Sequence, residues 1–174
     1  MARAKRPRRK RKAARTPKYK LQIQECNGCV IDGTLLAIDP STGSESSLPG
    51  YAVFKAGQLV ESGTITLDIT LNRAQKLYEI NRTIREDFGE YKFDAIAVED
   101  IGYFMGKMNA KAVVSLQRAV GAIVAAYPTE CLIEVPSNAW QKHKYKGYVK
   151  GDEADAICIG LCVINTAIAM KAVA

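Results

Sequence analysis

Four acidic residues lie beside apolar segments, each at the end of the segment where a ligand site would form: Asp39, Glu99, Asp152 and Asp155. Asp39 follows the apolar run 34–38, and Glu99 follows the run 93–98. Asp152 and Asp155 are three residues apart at the start of the last apolar helix, so they share one face of it. Glu153 lies between them and is expected to point away. If the two runs are adjacent parallel strands, all four carboxylates meet at one edge of a sheet.

Carboxylates crowded in this way repel one another unless cations neutralise them. Their hard oxygen atoms suit Mg²⁺, and Mn²⁺ is expected to substitute for it. Two such ions can activate a water and stabilise the leaving oxygen in phosphodiester cleavage. Taken singly, an Asp before Pro40 is commonly a turn residue, and Asp152 fits an N-cap. The coincidence of all four at element ends favours a metal-dependent hydrolytic site.

The elements that must position these acids follow the order β-β-β-α-β-α-β-α. The predicted strands cover 34–38, 51–55, 59–67, 93–98 and 131–135, the first two helices follow stripes over 71–88 and 113–127, and the last helix opens at Gly151-Asp152. A short helix can follow Pro136. The first three strands are predicted to form an antiparallel meander. The pattern predicts an α/β domain with a five-stranded mixed sheet and helices on both faces.

The charge of the chain is unevenly distributed. The 174 residues carry a formal net charge of +7, yet residues 1–20 hold 11 Lys and Arg and no acid, which leaves 14 bases and 18 acids in the other 154 residues. We therefore predict a disordered basic arm over 1–20, a linker or lead-in over 21–33 and a folded α/β domain over 34–174. The arm is expected to bind phosphates non-specifically, with a solubility tail and a transit peptide as alternatives.

Composition excludes collagenous, mucin-like and wholly disordered proteins. No apolar segment follows the N-terminal charges as it would in a secretory signal, and the apolar stretch 154–174 is expected to be a core helix rather than a membrane span. A cytoplasmic location in a bacterial or phage-infected cell is predicted, ahead of a mitochondrial one.

The cysteines allow a zinc site but do not favour one. Cys26 and Cys29 form a CxxC half-site, and a structural zinc needs four ligands. The remaining sulfur and imidazole groups belong to Cys131, Cys158, Cys162 and His143. Cys131 falls in a predicted strand and the other two cysteines on an apolar helix, where cysteine usually acts as a small hydrophobe. Reduced thiols without zinc are the expectation.

A basic, aromatic segment leads into the last helix. The sequence WQKHKYKGYVK over 140–150 interleaves aromatic rings with four lysines, Lys142, Lys144, Lys146 and Lys150. Contact with DNA is favoured over a solvated loop, and Lys150 is the strongest single candidate because its charge could also offset the acids. His143 is left out of the catalytic set, since a histidine on a surface loop is the more frequent case.

The sequence resembles the RuvC-type Holliday junction resolvases of the RNase H-like superfamily. The matching stretches are LLAIDPST…GYAVF over 35–54, AIAVED over 95–100, VVSLQRAVGAIVAA over 113–126 and GDEADAICIG over 151–160. The resemblance implies an RNase H-like fold and a homodimer that nicks a four-way DNA junction symmetrically with Mg²⁺, leaving 5′-phosphates. It also implies Asp39, Glu99, Asp152 and Asp155 as the catalytic metal ligands.

The resemblance also suggests an aromatic wedge for the junction centre in segment 101–111. Phe104 is the first choice and Tyr103 the second, while Lys107 and Lys111 could meet phosphates. The alternative for the two rings is packing in the core or in an interface. The alternative for the two lysines is exposure to solvent.

Ser41 stands where bacterial members tend to have Gly, and the following loop is longer than theirs. These differences are closer to a bacteriophage or other divergent branch. They leave open a broader nuclease for branched DNA or RNA/DNA hybrids, and a non-enzymatic junction-binding protein. An actin-like sugar kinase is disfavoured by the length of the chain.

Overall fold

A computed structural model describes residues 16–41, 48–68, 70–101, 110–127, 129–143, 145 and 147–173. Six helices and five strands lie in this part of the chain: α1 (Lys18–Glu25), α2 (Asn27–Ile31), β1 (Thr34–Asp39), β2 (Gly50–Lys55), β3 (Gln58–Thr64), α3 (Arg73–Asp87), β4 (Ala95–Asp100), α4 (Ala110–Ala126), β5 (Leu132–Pro136), α5 (Ser137–Trp140) and α6 (Asp152–Lys171).

The strands form one mixed sheet in the order β3-β2-β1-β4-β5. β1, β2 and β3 pair antiparallel, whereas β1 with β4 and β4 with β5 pair parallel. The predicted mixed α/β sheet with an antiparallel first half is therefore confirmed. The central position of β1 explains its composition, because a strand covered on both faces reads as a continuous apolar run.

Two apolar clusters cover the two faces of the sheet. One contains alternate residues of β1, β2, β4 and β5 together with α1, α2, α5 and α6. The other contains the intervening strand residues with α3 and α4. Successive strand residues thus alternate between two buried layers, as the pleat requires. This alternation decides which layer the residue at each strand end faces.

The long apolar helix α6 lies against the sheet. By length and composition alone it could cross a membrane, but half of its apolar window is buried in the domain. A Cβ atom at Gly160 would lie 2.1 Å from the Phe54 ring of β2, so only glycine allows this close approach. The prediction of a core helix over 154–174 agrees with this packing.

The prediction of a linker over 21–33 is wrong where α1 and α2 occupy it. Ile23 and Val30 are completely buried in the cluster beneath α6. The last residues assigned to the arm, Lys18 to Lys20, also belong to α1. Helices of eight and five residues are too short to produce a periodic pattern, and their stability comes from packing on the domain. Residues 1–15 lie outside the described residues.

Candidate active site

Asp39 and Glu99 occupy neighbouring strand ends on the same face of the sheet. β1 and β4 run parallel with Ile38 opposite Val98, so the next residues on the two strands are these acids. Residues two and four positions before each acid belong to the cluster beneath α6, and the alternation of a strand therefore turns both carboxyl groups toward that helix. Asp39 is 9% exposed, and Glu99 is half-buried.

The first turn of α6 brings the other two carboxylates to this edge. Asp39 pairs with Gly50 across β1 and β2, and a Cβ atom at Gly50 would lie only 1.9 Å from the backbone oxygen of Asp152. Glycine therefore allows α6 to begin directly against β2. The backbone N–H of Leu48 donates to Asp152 Oδ2 at 2.8 Å and orients that carboxylate. Asp155 lies one turn further along and is half-buried.

These four residues, here called the acidic cluster, act on one another electrostatically. Burial raises the pKa of Asp39 to about 8, and the nearby charges of Glu99, Asp155 and Asp152 contribute to the rise. A hydrogen bond between the Asp39 and Glu99 carboxyl groups also raises the pKa of Asp39 and lowers that of Glu99. Burial raises the pKa of Glu99 and of Asp155 as well, with like-charge repulsion adding to both. The crowded carboxyl groups therefore favour a bound proton or a bound cation at this site.

Trp140 lies beside Glu99. Its indole lowers the pKa of that carboxyl, yet its Nε1 is buried without a partner at hydrogen-bond geometry. An unpaired buried N–H costs about 1–3 kcal/mol. The sequence placed Trp140 among the DNA-facing aromatics, but at 5% exposure it belongs to the core.

The remaining predicted site residues are distributed as follows. Glu153 points away from the acidic cluster, as predicted, and accepts a hydrogen bond from Ser62 Oγ at 2.6 Å. Lys142 and Lys150 are exposed, and so is Lys111. Five predicted DNA contacts lie outside the described residues: Tyr103, Phe104, Lys107, Lys144 and Lys146.

A cleft that the sequence did not reveal lies at the same edge of the sheet, where β4 and β5 end. It measures about 440 Å³ and is lined by the start of α1, the ends of β4 and β5, and α5. Lys18 in its wall forms an ion pair with Glu134, and Lys142 lines it too. Asp100, the residue after Glu99, also lines it. The chain therefore enters the domain from residue 16 at the same edge that carries the acids.

The donor atoms of the acidic cluster fit hard divalent cations. All four groups supply carboxylate oxygens, and the raised pKa values reflect a negative charge that a cation would stabilise. Among the residues that the structure describes, no three His, Cys, Asp or Glu side chains already have the arrangement of a metal-binding group. Metal binding here would require Asp39 to lose its proton and the carboxylates to adjust.

The mixed sheet with flanking helices is an RNase H-like α/β fold. A family model described as crossover junction endodeoxyribonuclease RuvC matches residues 35–154. The chain belongs to this family. The matched range contains Asp39, Glu99 and Asp152 and ends one residue before Asp155.

Individual relatives agree with this assignment. The crossover junction endodeoxyribonuclease RuvC of Syntrophomonas wolfei is 34% identical over 94 residues, which cover 52% of this chain and 51% of the relative. The chain thus spans about half the length of that curated protein. A structure of Thermus thermophilus RuvC in complex with a Holliday junction substrate matches with a TM-score of 0.62 and 16% identity, over 79% of this chain and 95% of the other. A second Thermus thermophilus RuvC structure matches with a TM-score of 0.58 and 15% identity, over 79% and 96%.

Proposed function

We propose that this protein is a metal-dependent endonuclease that resolves four-way DNA junctions by paired, symmetric phosphodiester cleavage. The observation that carries the proposal is the acidic cluster, in which two strand ends and one helix start bring four carboxylates together. Membership of the RuvC family supports the same activity. So does the relative whose structure holds a Holliday junction substrate.

Each acid has a proposed role toward two Mg²⁺ ions, for which Mn²⁺ substitutes. Asp39 would bridge both ions, Glu99 and Asp155 would hold one each, and Asp152 would complete the site. When bound, such ions supply the positive charge that activates a water and stabilises the leaving oxygen. The protein's own contribution is to hold the carboxylates: the Leu48 N–H orients Asp152, and the Trp140 indole lies beside Glu99 and lowers its pKa. The products would carry a 5′-phosphate and a 3′-hydroxyl.

The substrate path would follow the edge of the sheet that carries the acids. Lys142 and Lys150 flank this edge and are proposed to contact phosphates, together with Lys107, Lys144 and Lys146. The arm joins the domain at the same edge, and it would add sequence-independent affinity. Phe104, or alternatively Tyr103, is proposed to stack in the junction centre, where such contacts are worth about 1–3 kcal/mol. The active form would be a homodimer in the cytoplasm, so that two sites cut together.

A cleavage assay tests the proposal. Full-length protein is incubated with a synthetic four-way junction and Mg²⁺, and the nicks are mapped at nucleotide resolution. We expect symmetric paired nicks from the wild type and a loss on the order of 1000-fold in Asp39→Asn, because the amide cannot bridge two cations. Glu153→Gln is the matched control, since Glu153 lies in the same helical turn but bonds to Ser62. An intact junction, or equal cutting by Asp39→Asn, would refute the mechanism.

The same assay with other substrates tests the specificity. Flaps, RNA/DNA hybrids and plain duplex are compared with the junction at equal concentration. Equal cutting of all of them would replace junction resolution by a broader nuclease activity. Junction binding without cutting, abolished by removal of the arm but not by Asp39→Asn, would indicate a non-enzymatic binding protein. Mixing wild-type and Asp39→Asn subunits tests pairing, because mixed dimers should leave single nicks.

A further inference from the structure

A second group of metal-binding side chains lies at the opposite edge of the sheet, where β4 and β5 begin. Cys26 lies between α1 and α2, Cys29 lies within α2, and Cys131 immediately precedes β5. The three cysteines pack in one apolar cluster. Hydrogen bonding between the Cys131 thiol and those of Cys26 and Cys29 shifts the pKa of all three groups. These three residues, here called the thiol cluster, bring the CxxC segment together with a cysteine about a hundred residues further along the chain.

All five cysteines pack in the same apolar cluster but have different hydrogen-bond partners. Cys158 and Cys162 on α6 provide the comparison, because both are buried and have partners other than thiols. Cys158 accepts a hydrogen bond from the backbone N–H of Tyr145, and Cys162 accepts one from the Thr166 hydroxyl. In the thiol cluster, by contrast, the sulfurs face one another. Cys29 and Cys131 are half-exposed, so solvent and ions can reach the group.

We propose that Cys26, Cys29 and Cys131 form a binding site for a soft, thiophilic divalent cation, with Zn²⁺ as its ligand. Three thiolates match the chemical preference of such ions, and the CxxC spacing is that of zinc half-sites. A fourth position would be open to water or to the carboxylate of Asp94, whose charge acts on Cys29. Asp94 is held nearby, where its Oδ2 accepts the backbone N–H of Thr34 at 2.8 Å.

Among the residues that the structure describes, no three His, Cys, Asp or Glu side chains already have the arrangement of a metal-binding group, so the three thiols must adjust to hold an ion. Binding would replace the two S–H···S contacts by metal–sulfur bonds and release the thiol protons to solvent. Because the thiolate and not the thiol binds the ion, the apparent affinity for Zn²⁺ should increase with pH.

The location suggests what the site does. α1 runs along β5, with Lys18 paired to Glu134 at its beginning and Cys26 beside Cys131 at its end. The exposed ion pair between Lys18 and Glu134 contributes little to the stability of the fold. A bound cation at the other end would fasten α1 and α2 to β5. It would thereby fix where the basic arm leaves the domain.

Cobalt provides a direct probe of thiolate ligation. Reduced full-length protein is titrated with Co²⁺, and the thiolate-to-cobalt charge-transfer absorption is recorded before displacement by Zn²⁺. We expect saturation at one ion per chain in the wild type. Cys131→Ser and Cys29→Ser should each weaken binding at least tenfold, whereas the double variant Cys158→Ser/Cys162→Ser should bind as the wild type does. Carboxylates give no such absorption, so ions at the acidic cluster are not counted.

A second measurement needs no variant. Saturating Zn²⁺ should protect Cys29 and Cys131 from iodoacetamide, as mapped by peptide mass spectrometry, and should raise the melting temperature. Absence of the charge-transfer band, a band unchanged in Cys131→Ser and Cys29→Ser, or unprotected Cys29 and Cys131 would each overturn the proposal. Such a result would not bear on the proposed cleavage activity of the acidic cluster, because the two sites lie at opposite edges of the sheet.

Discussion

The two edges of the sheet use the same structural device with different chemistry. At the carboxylate edge, where β1 and β4 end, four oxygen donors from two strands and one helix meet. At the cysteine edge, where β4 and β5 begin, three sulfur donors from a helix pair and a strand meet. Strand ends collect side chains at a rigid edge in both cases. Because oxygen donors prefer hard cations and sulfur donors prefer soft ones, the two edges would bind different ions.

The edges differ in what their side chains do without a cation. The acidic cluster repels itself, and one proton held by Asp39 relieves part of the repulsion. The thiol cluster is neutral and satisfied by its own hydrogen bonds. An electrostatic cost of this kind is common at sites built for function. The comparison predicts that the carboxylate edge is the more sensitive to pH, and the experiments below test it.

The largest expected effect is the pH dependence of stability at the carboxylate edge. The pKa of Asp39 is about 8 in the folded protein and 3.8 in a free side chain. The folded state therefore binds more protons, and its stability should fall as pH rises from about 4 to about 8, by on the order of 3–5 kcal/mol. Urea unfolding of metal-free protein at several pH values measures this.

Two controls sharpen that test. Asp39→Asn carries no titrating carboxyl and should flatten the slope, so the variant should be more stable than the wild type near pH 8. Glu153→Gln should keep the wild-type slope, because Glu153 lies outside the acidic cluster. Adding saturating Mg²⁺ should reduce the slope of the wild type, since a cation replaces the proton. Equal slopes for wild type and Asp39→Asn would contradict the proposed protonation of this edge.

The contact between β2 and α6 gives the next largest effect. In Gly50→Ala, the new methyl group would overlap the backbone of Asp152, which must move. We expect a loss of about 1–3 kcal/mol of stability and a strong loss of cleavage. Gly121→Ala on α4 is the control, because nothing lies within 4 Å of its Cβ position and alanine is the better helix former. Similar effects of the two substitutions in thermal unfolding and cleavage would disprove the role of this contact.

Removal of the basic arm should weaken DNA binding more than it changes the cleavage reaction. Deletion of residues 1–15 spares α1, which residues 18–25 form. We expect about tenfold weaker junction binding near physiological salt and a shallower dependence of log K on log salt, because phosphate contacts are lost. Fluorescence anisotropy at several salt concentrations measures both. The mapped nick positions should stay the same, and an unchanged salt slope would exclude the arm as a DNA tether.

Substitutions of single lysines should have the smallest effects on DNA binding. They test whether DNA binds at the carboxylate edge rather than at the cysteine edge. Lys150 precedes α6 near the acidic cluster, whereas Lys171 ends the helix with its Nζ 3.9 Å from Asp32, beyond α2. Lys150→Gln should weaken junction binding a few-fold and reduce the salt slope by about 1. Lys171→Gln should leave both unchanged. Equal effects of the two substitutions would show that DNA does not prefer the carboxylate edge.

Much of this molecule is determined by its local sequence. Unbroken apolar runs define β1 and β4, and an acid follows directly at the end of each run. Asp39 and Glu99 therefore become neighbours as soon as these two strands pair. Asp152 and Asp155 share a helical face by their spacing alone. Local patterning sufficed here because each element carries its own hydrophobic period.

Only the tertiary structure decided the remaining features. Trp140 reads as a DNA-facing aromatic in its basic segment, yet it is buried beside Glu99. On α4 the apolar stripe over 113–127 includes the buried Val113 and Ile123, but three small residues, Ser115, Ala119 and Ala126, are buried beside them. Small side chains there allow α3 and α4 to pack closely, which hydrophobicity alone does not encode.

The cysteine edge is the clearest case. Cys29 and Cys131 are separated by about a hundred residues, and the segment holding the CxxC was predicted to be a linker. α1 and α2 are too short to be stable alone, so they form only where β5 and α6 provide a surface. The sequence by itself determined the carboxylate edge, because its residues end strong local elements. The thiol cluster depends on contacts between distant parts of the chain, which only the folded sheet brings together.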